Sequence, residues 1–163
     1  MEPVAAVAVD LDALGDTRPL WRDFLADAAR RFGSIAPLEP AAVSDDRARA
    51  AEELDSWAAA GVGDWRGALA RFAEDRVPVY LRPDAEVSAA LRALAAAGVR
   101  VGVFTDAPPE LARVALAHVG AARRVQAVEA GAGARERLLA RLGSSAVVVS
   151  DRESLAKISF DAA

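Results

Sequence analysis

The apolar run Val4 to Val9, which ends in Asp10-Leu11-Asp12 and closes at Gly15, constrains the fold of this chain more than any other stretch. A short apolar run bounded by a turn signal reads as a buried strand. Residues two apart on a strand share a face, so Asp10 and Asp12 can converge where the strand ends. Two carboxylates held that close repel unless a cation or a proton intervenes. The pair therefore points to a metal site or to acid–base chemistry. The alternative is a solvated strand end with ordinary turn chemistry.

The rest of the chain gives the pair a context. Apolar periodicity predicts helices over 18–32, 41–60, 65–75, 84–97, 109–118 and 135–142. Buried strands are expected at 100–104, 124–128 and 146–149, and the tail from 152 as a single helical turn that then frays. Thr17 is placed to cap the first long helix, with Pro19 in its first turn. The run Asp45 to Asp55, DDRARAAEELD, reads as a solvated helix face. The three tryptophans, Trp21, Trp57 and Trp65, fall in the helical stretch between the first strand and Val77. They are expected either to pack those helices or to line a substrate pocket. His118, near the end of its helix, has a structural role.

Strands alternating with helices imply an α/β fold, a Rossmann-like parallel sheet with helices on both faces. Ligands in such sheets bind at the carboxyl ends of the strands. Three of those ends carry polar groups: Asp10 with Asp12, Thr105 with Asp106, and Asp151. The expectation is one acidic crevice containing a hydroxyl, suited to Mg²⁺, a hard cation that prefers oxygen ligands.

Composition narrows the chemistry. With 163 residues, the chain is sized for one domain with a small insert. A net charge of −4 offers no broad basic surface for nucleic acid. There is no cysteine, which removes thiol nucleophiles and cysteine zinc sites, and His118 is the only histidine. No apolar stretch reaches the length of a membrane span, and the N-terminus lacks the pattern of a cleaved signal. A cytoplasmic protein is the expectation.

The stretch Val7 to Trp21, VAVDLDALGDTRPLW, resembles the first motif of the haloacid dehalogenase-like (HAD) hydrolases, hhhDxDGTLxDT, and the chain as a whole looks phosphoglycolate phosphatase-like. Asp10 and Asp12 fall on the two motif aspartates, and Asp16-Thr17 on the DT that leads into the cap; one residue and the usual Gly-Thr are missing. The region LRPDAEVSAALRALAAAGVRVGVFTDAPPE resembles the second motif, with Thr105 on its hydroxyl position. ARLGSSAVVVSDRES resembles the fourth, with Asp151 on its first acid.

The resemblance implies a HAD-like α/β core in 1–17 and 78–163, and a helical cap insert in 18–77. It implies a Mg²⁺-dependent phosphatase acting on a small phosphorylated metabolite. Asp10 would be the nucleophile and Asp12 the acid and base. Thr105 and Asp106 would stand at the substrate, and Asp10, Asp12 and Asp151 at the metal. The third-motif lysine is absent: its expected region, Glu129 to Gly133, holds no cation, Arg135 is the nearest one, and Lys157 is the only lysine. The second acid of the fourth motif is replaced by Leu155. These departures support an alternative, a catalytically impaired HAD-fold protein that serves as a binding or regulatory module.

Overall fold

The computed structural model describes residues 2–162. Four parallel strands form one sheet in the order β3-β2-β1-β4. They are β1 (Ala6–Asp10), β2 (Arg100–Thr105), β3 (Ala127–Ala130) and β4 (Val147–Val149). The α/β architecture expected from the alternation of elements is present, with helices on both faces of an all-parallel sheet. No helix among the described residues is long and apolar enough to cross a membrane.

The two-residue period of the strands divides the core. Val7, Val9, Val101 and Val103 face one side. That side is covered by α1 (Leu11–Leu14), α2 (Arg18–Phe32), α3 (Arg47–Trp57), α4 (Trp65–Tyr80), α5 (Ala85–Ala96), α6 (Pro109–His118) and α8 (Arg152–Ala162). Ala6, Ala8, Phe104 and Ala127 face the other side, where α7 (Ala134–Leu142) packs through Leu138 and Leu142. Small residues let α7 lie close to the sheet. A Cβ added at Gly102 would stand 2.6 Å from Leu138 Cδ1.

Segment 18–77 is helical throughout most of its length and has no core of its own. Trp21, Phe24, Leu54, Trp65 and Leu69 belong to the same apolar cluster as Val7, Val103 and Leu111. All three tryptophans are buried. Trp21 stacks edge-on against Trp65, with ring centroids 6.5 Å apart. Trp57 Nε1 donates to Ala36 O at 3.0 Å and Trp65 Nε1 to Asp55 at 2.8 Å, so buried polar edges are satisfied. His118 Nε2–H donates to Leu81 O at 2.8 Å, a structural role.

Several boundaries differ from expectation for identifiable reasons. Helix α3 begins at Arg47, not Ala41: Pro40–Ala42 forms a 3₁₀ turn, and Asp46 caps the helix by accepting from the amides of Ala48 and Arg49. After Trp57 the chain widens into a π-type turn, closed by Gly63 N on Ala58 O, and breaks at Gly61, whose φ of 122° suits glycine alone. Helix α4 runs on through Pro78 to Tyr80, because buried Val77 and Leu81 anchor its last turn. Strand β3 lies at 127–130, since Gln126 precedes it and turns its Oε1 back to accept from Val101 N at 2.6 Å. The tail is an 11-residue helix, held by Leu155 and Ser159.

Candidate functional site

A crevice of about 620 Å³ opens beyond the carboxyl ends of β1, β2 and β3. Asp10, Asp12, Thr105 and Asp106 all line it, as does the Gly131-Ala132-Gly133 loop that leads into α7. The sheet register sets this assembly. Asp10 pairs with Phe104 across the β1–β2 ladder, and Thr105 with Ala130 across β2–β3. The polar strand ends thus stand side by side.

Asp10 caps α1. Its Oδ1 accepts from Asp12 N at 2.9 Å, and among the described residues its Oδ2 has no donor. Burial pushes the Asp10 carboxyl above its ordinary pKa. The Asp12 amide pulls it back, the charges of Asp12 and Asp106 raise it again, and Arg47 lowers it.

Asp12 is held more fully. Its Oδ1 accepts from Thr17 N at 3.0 Å and Thr17 Oγ1 at 2.7 Å, and its Oδ2 from Arg47 Nη2 at 2.8 Å. A carboxylate has about four acceptor positions, so one remains. Thr17 is fully buried. Its hydroxyl does not cap α2 as expected; it is spent on Asp12 and on the guanidinium of Arg47, which donates to it at 2.6 Å.

Arg47 is the residue that the sequence reading assigned to a solvated face. It is 3% exposed. Besides Asp12 and Thr17, it reaches Asp106 Oδ1 through Nε at 2.9 Å and Thr105 Oγ1 through Nη2 at 3.4 Å. Its own amide donates to Asp106 Oδ2 at 3.0 Å. The capping of α3 by Asp46 explains this placement. Arg47 becomes the first helical residue, where the amide has no partner within the helix and the side chain leans back over the N-terminus. A sequence signal existed in Asp46 directly before an arginine, but nothing local shows which strand end that arginine meets.

Thr105 is buried, and its Oγ1 accepts from Ala107 N at 3.1 Å as well as from Arg47. Both bonds use the oxygen's lone pairs, so the hydroxyl proton is free to be donated into the crevice.

Asp151 follows β4, which pairs with β1 through Val9 and Val149. It does not line the crevice. Ser154 N donates to its Oδ1 at 2.7 Å and Ser154 Oγ to its Oδ2 at 3.0 Å, so the carboxylate opens α8 and is held below its usual pKa by those bonds. Among the described residues no group of three or more histidines, aspartates or glutamates is disposed to share an ion.

The region where the third-motif lysine was sought is occupied otherwise. Glu129 is paired with Arg137 and Arg141, both at 3.0 Å. Those arginines hold its carboxyl below the usual range. Arg135 lines the crevice, whereas Lys157 lies exposed on α8 and does not. The cation at the centre of the site is Arg47, from a different part of the chain. A second cavity of about 630 Å³ adjoins the first and shares Arg18, Asp45 and Arg47 with it; Trp21, Leu25 and Val43 form its apolar wall. No protein-family model and no curated protein matches this chain.

Proposed function

We propose that this chain is a HAD-like hydrolase that cleaves small phosphate monoesters through an aspartyl-phosphate. One observation carries the reading. A carboxylate with a free oxygen (Asp10), a buried hydroxyl with an uncommitted proton (Thr105) and a buried guanidinium (Arg47) converge on one open crevice. That combination supplies a nucleophile beside donors for an oxyanion.

In this reading Asp10 Oδ2 attacks phosphorus while the bond from phosphorus to the ester oxygen breaks. The leaving oxygen takes a proton from Asp12, whose remaining acceptor position can hold one. Water then attacks the phosphoaspartate and gives its proton back to Asp12, which frees phosphate and restores Asp10. Thr105 donates to a non-bridging phosphoryl oxygen throughout. Asp106 acts on Arg47, which it grips by side chain and main chain. No step is assigned to the expected Mg²⁺.

A second reading, a HAD-fold protein that binds phosphorylated ligands without turning them over, draws support from Glu129 to Gly133, where the resemblance expects a lysine and the chain has no cation. Hydrolysis of an aryl phosphate by the wild type and by Asp10→Asn, with and without Mg²⁺, separates the two. The hydrolase reading expects turnover that falls by at least about 10³-fold in the variant. Turnover that survives the substitution, or its absence from the wild type across several phosphate esters, rejects it.

A further inference from the structure

We propose that the guanidinium of Arg47 does the charge-neutralising work for which the HAD resemblance implies a divalent metal, so that this crevice takes up an oxyanion without one. The inference rests on the reading of the crevice as a phosphate site, and it concerns what makes that site electrostatically possible.

An anion must approach a place already crowded by Asp10, Asp12 and Asp106. Some cation has to offset them. Of the acids expected at a metal, Asp12 is the most fully occupied, accepting from Thr17 and Arg47 on three of its positions. Arg47 already stands between Asp12 and Asp106, at 2.8 Å and 2.9 Å. Its planar fork suits oxyanion geometry. It is also held from four directions, by Asp12, Asp106, Thr17 and Thr105, so it needs no reorganisation when a ligand arrives.

The donor count leaves room for a ligand. A guanidinium has five N–H donors. Nε is spent on Asp106, one proton of Nη1 on Thr17, and those of Nη2 on Asp12 and, at a long 3.4 Å, on Thr105. The second Nη1 proton is uncommitted, and the long contact to Thr105 is readily exchanged for a better acceptor. Two N–H groups of one planar fork match two oxygens of a tetrahedral oxyanion. Thr105 Oγ1–H supplies a third donor beside them.

The test is calorimetric titration of inorganic phosphate into EDTA-treated protein, repeated with millimolar Mg²⁺. Binding without Mg²⁺, with an affinity that Mg²⁺ changes by less than about twofold, is the expected result. Arg47→Gln, checked for folding by circular dichroism, should weaken binding by about 10- to 100-fold, as expected for loss of a charged donor. Arg47→Lys keeps the charge but not the fork and should fall between the two. Binding that requires Mg²⁺ overturns the inference and leaves the phosphatase reading standing. Equal affinity in wild type and folded Arg47→Gln overturns it as well. If Arg47→Gln does not fold, an unchanged affinity in Arg47→Lys does the same. Phosphate bound under none of these conditions rejects the site reading itself, and this inference with it.

Discussion

Arg47 holds Asp106 at two points: its main-chain amide donates to Oδ2 at 3.0 Å and its Nε to Oδ1 at 2.9 Å. One carboxylate thus satisfies the free amide of α3 and aims the guanidinium of the same residue. Asp106 sits on the loop after β2, so this pair ties the helical segment to the sheet. Asp106→Ala removes both bonds and leaves a buried guanidinium short of a partner. With the Asp106 side chain 42% exposed, solvent recovers part of the loss. The expected cost is about 1–3 kcal/mol, read as a lower urea midpoint. Asp106→Asn keeps an acceptor and should lose less.

Arg47→Met asks more of the fold. It leaves Asp12 and Asp106 facing Asp10 with no counter-charge, and a lone member of a buried pair is strongly destabilising. A loss of about 2–4 kcal/mol is expected, the exposure of Asp106 keeping it below the full buried-pair value. Chemical unfolding at neutral pH measures it.

Asp10→Asn is expected to abolish turnover and to stabilise the protein. Asparagine can still accept the Asp12 amide at the cap of α1. Because burial raises the Asp10 pKa in the folded state, the folded chain holds that proton more readily than the unfolded one. The contribution of the wild-type carboxyl is therefore complete below about pH 4, its unfolded value, and is lost as pH rises through the folded value. Thermal melts should give matching midpoints in acid, and a higher one for the variant at pH 7. A variant less stable than wild type at pH 7 would contradict the burial argument.

If the chain is the proposed phosphatase, the acid side of its pH–rate profile reports the same carboxyl, since in that reading only ionised Asp10 attacks phosphorus. Arg47 lowers that pKa, against burial and the charges of Asp12 and Asp106, and Arg18 also lies within its field. In Arg47→Gln the acid limb of kcat/KM should move to higher pH, and in Arg47→Lys it should return toward the wild type. A substitution that merely loosened the fold would lower the rate and leave the limb where it was.

Gly102→Ala tests the packing behind the site. The added methyl would stand 2.6 Å from Leu138 Cδ1 and 3.0 Å from Leu142 Cδ1. Overpacking of this kind costs about 1–3 kcal/mol, measurable as a drop in Tm.

Much of the fold was legible in the sequence, because a buried parallel strand leaves a compact apolar run and its polar end stands out. Asp10, Asp12, Thr105 and Asp106 could be read for that reason. β3 was read three residues early because Gln126 serves as a side-chain cap to β2, which no periodicity records. The helix α8 has a thin apolar stripe, and its partner α5 lies far away in sequence. Arg47 escaped because the charged residues around it are mostly solvated: Glu52, Glu53 and Asp55 are exposed, and Arg47 is the one charged residue of the helix that is buried with Ala50 and Leu54. Asp151 was placed by its strand end alone, and Ser154, three residues on, offered a nearer use for the carboxylate. For Arg47 and Gln126 a local pattern gave the element, and a contact with a distant part of the chain decided the use of the side chain.

The small residues beneath α7 set more than a packing distance. The helix rests on Ala6, Ala8 and Gly102, and the loop before it, Gly131 to Gly133, forms one wall of the crevice. The aperture is thus governed from the far face of the sheet. A methyl group added at Gly102 presses on Leu138 and Leu142 of that helix, on the opposite side of the sheet from Arg47. Selectivity for the size of a ligand can drift through the volume of the hidden layer, while the acids, the hydroxyl and the guanidinium stay as they are.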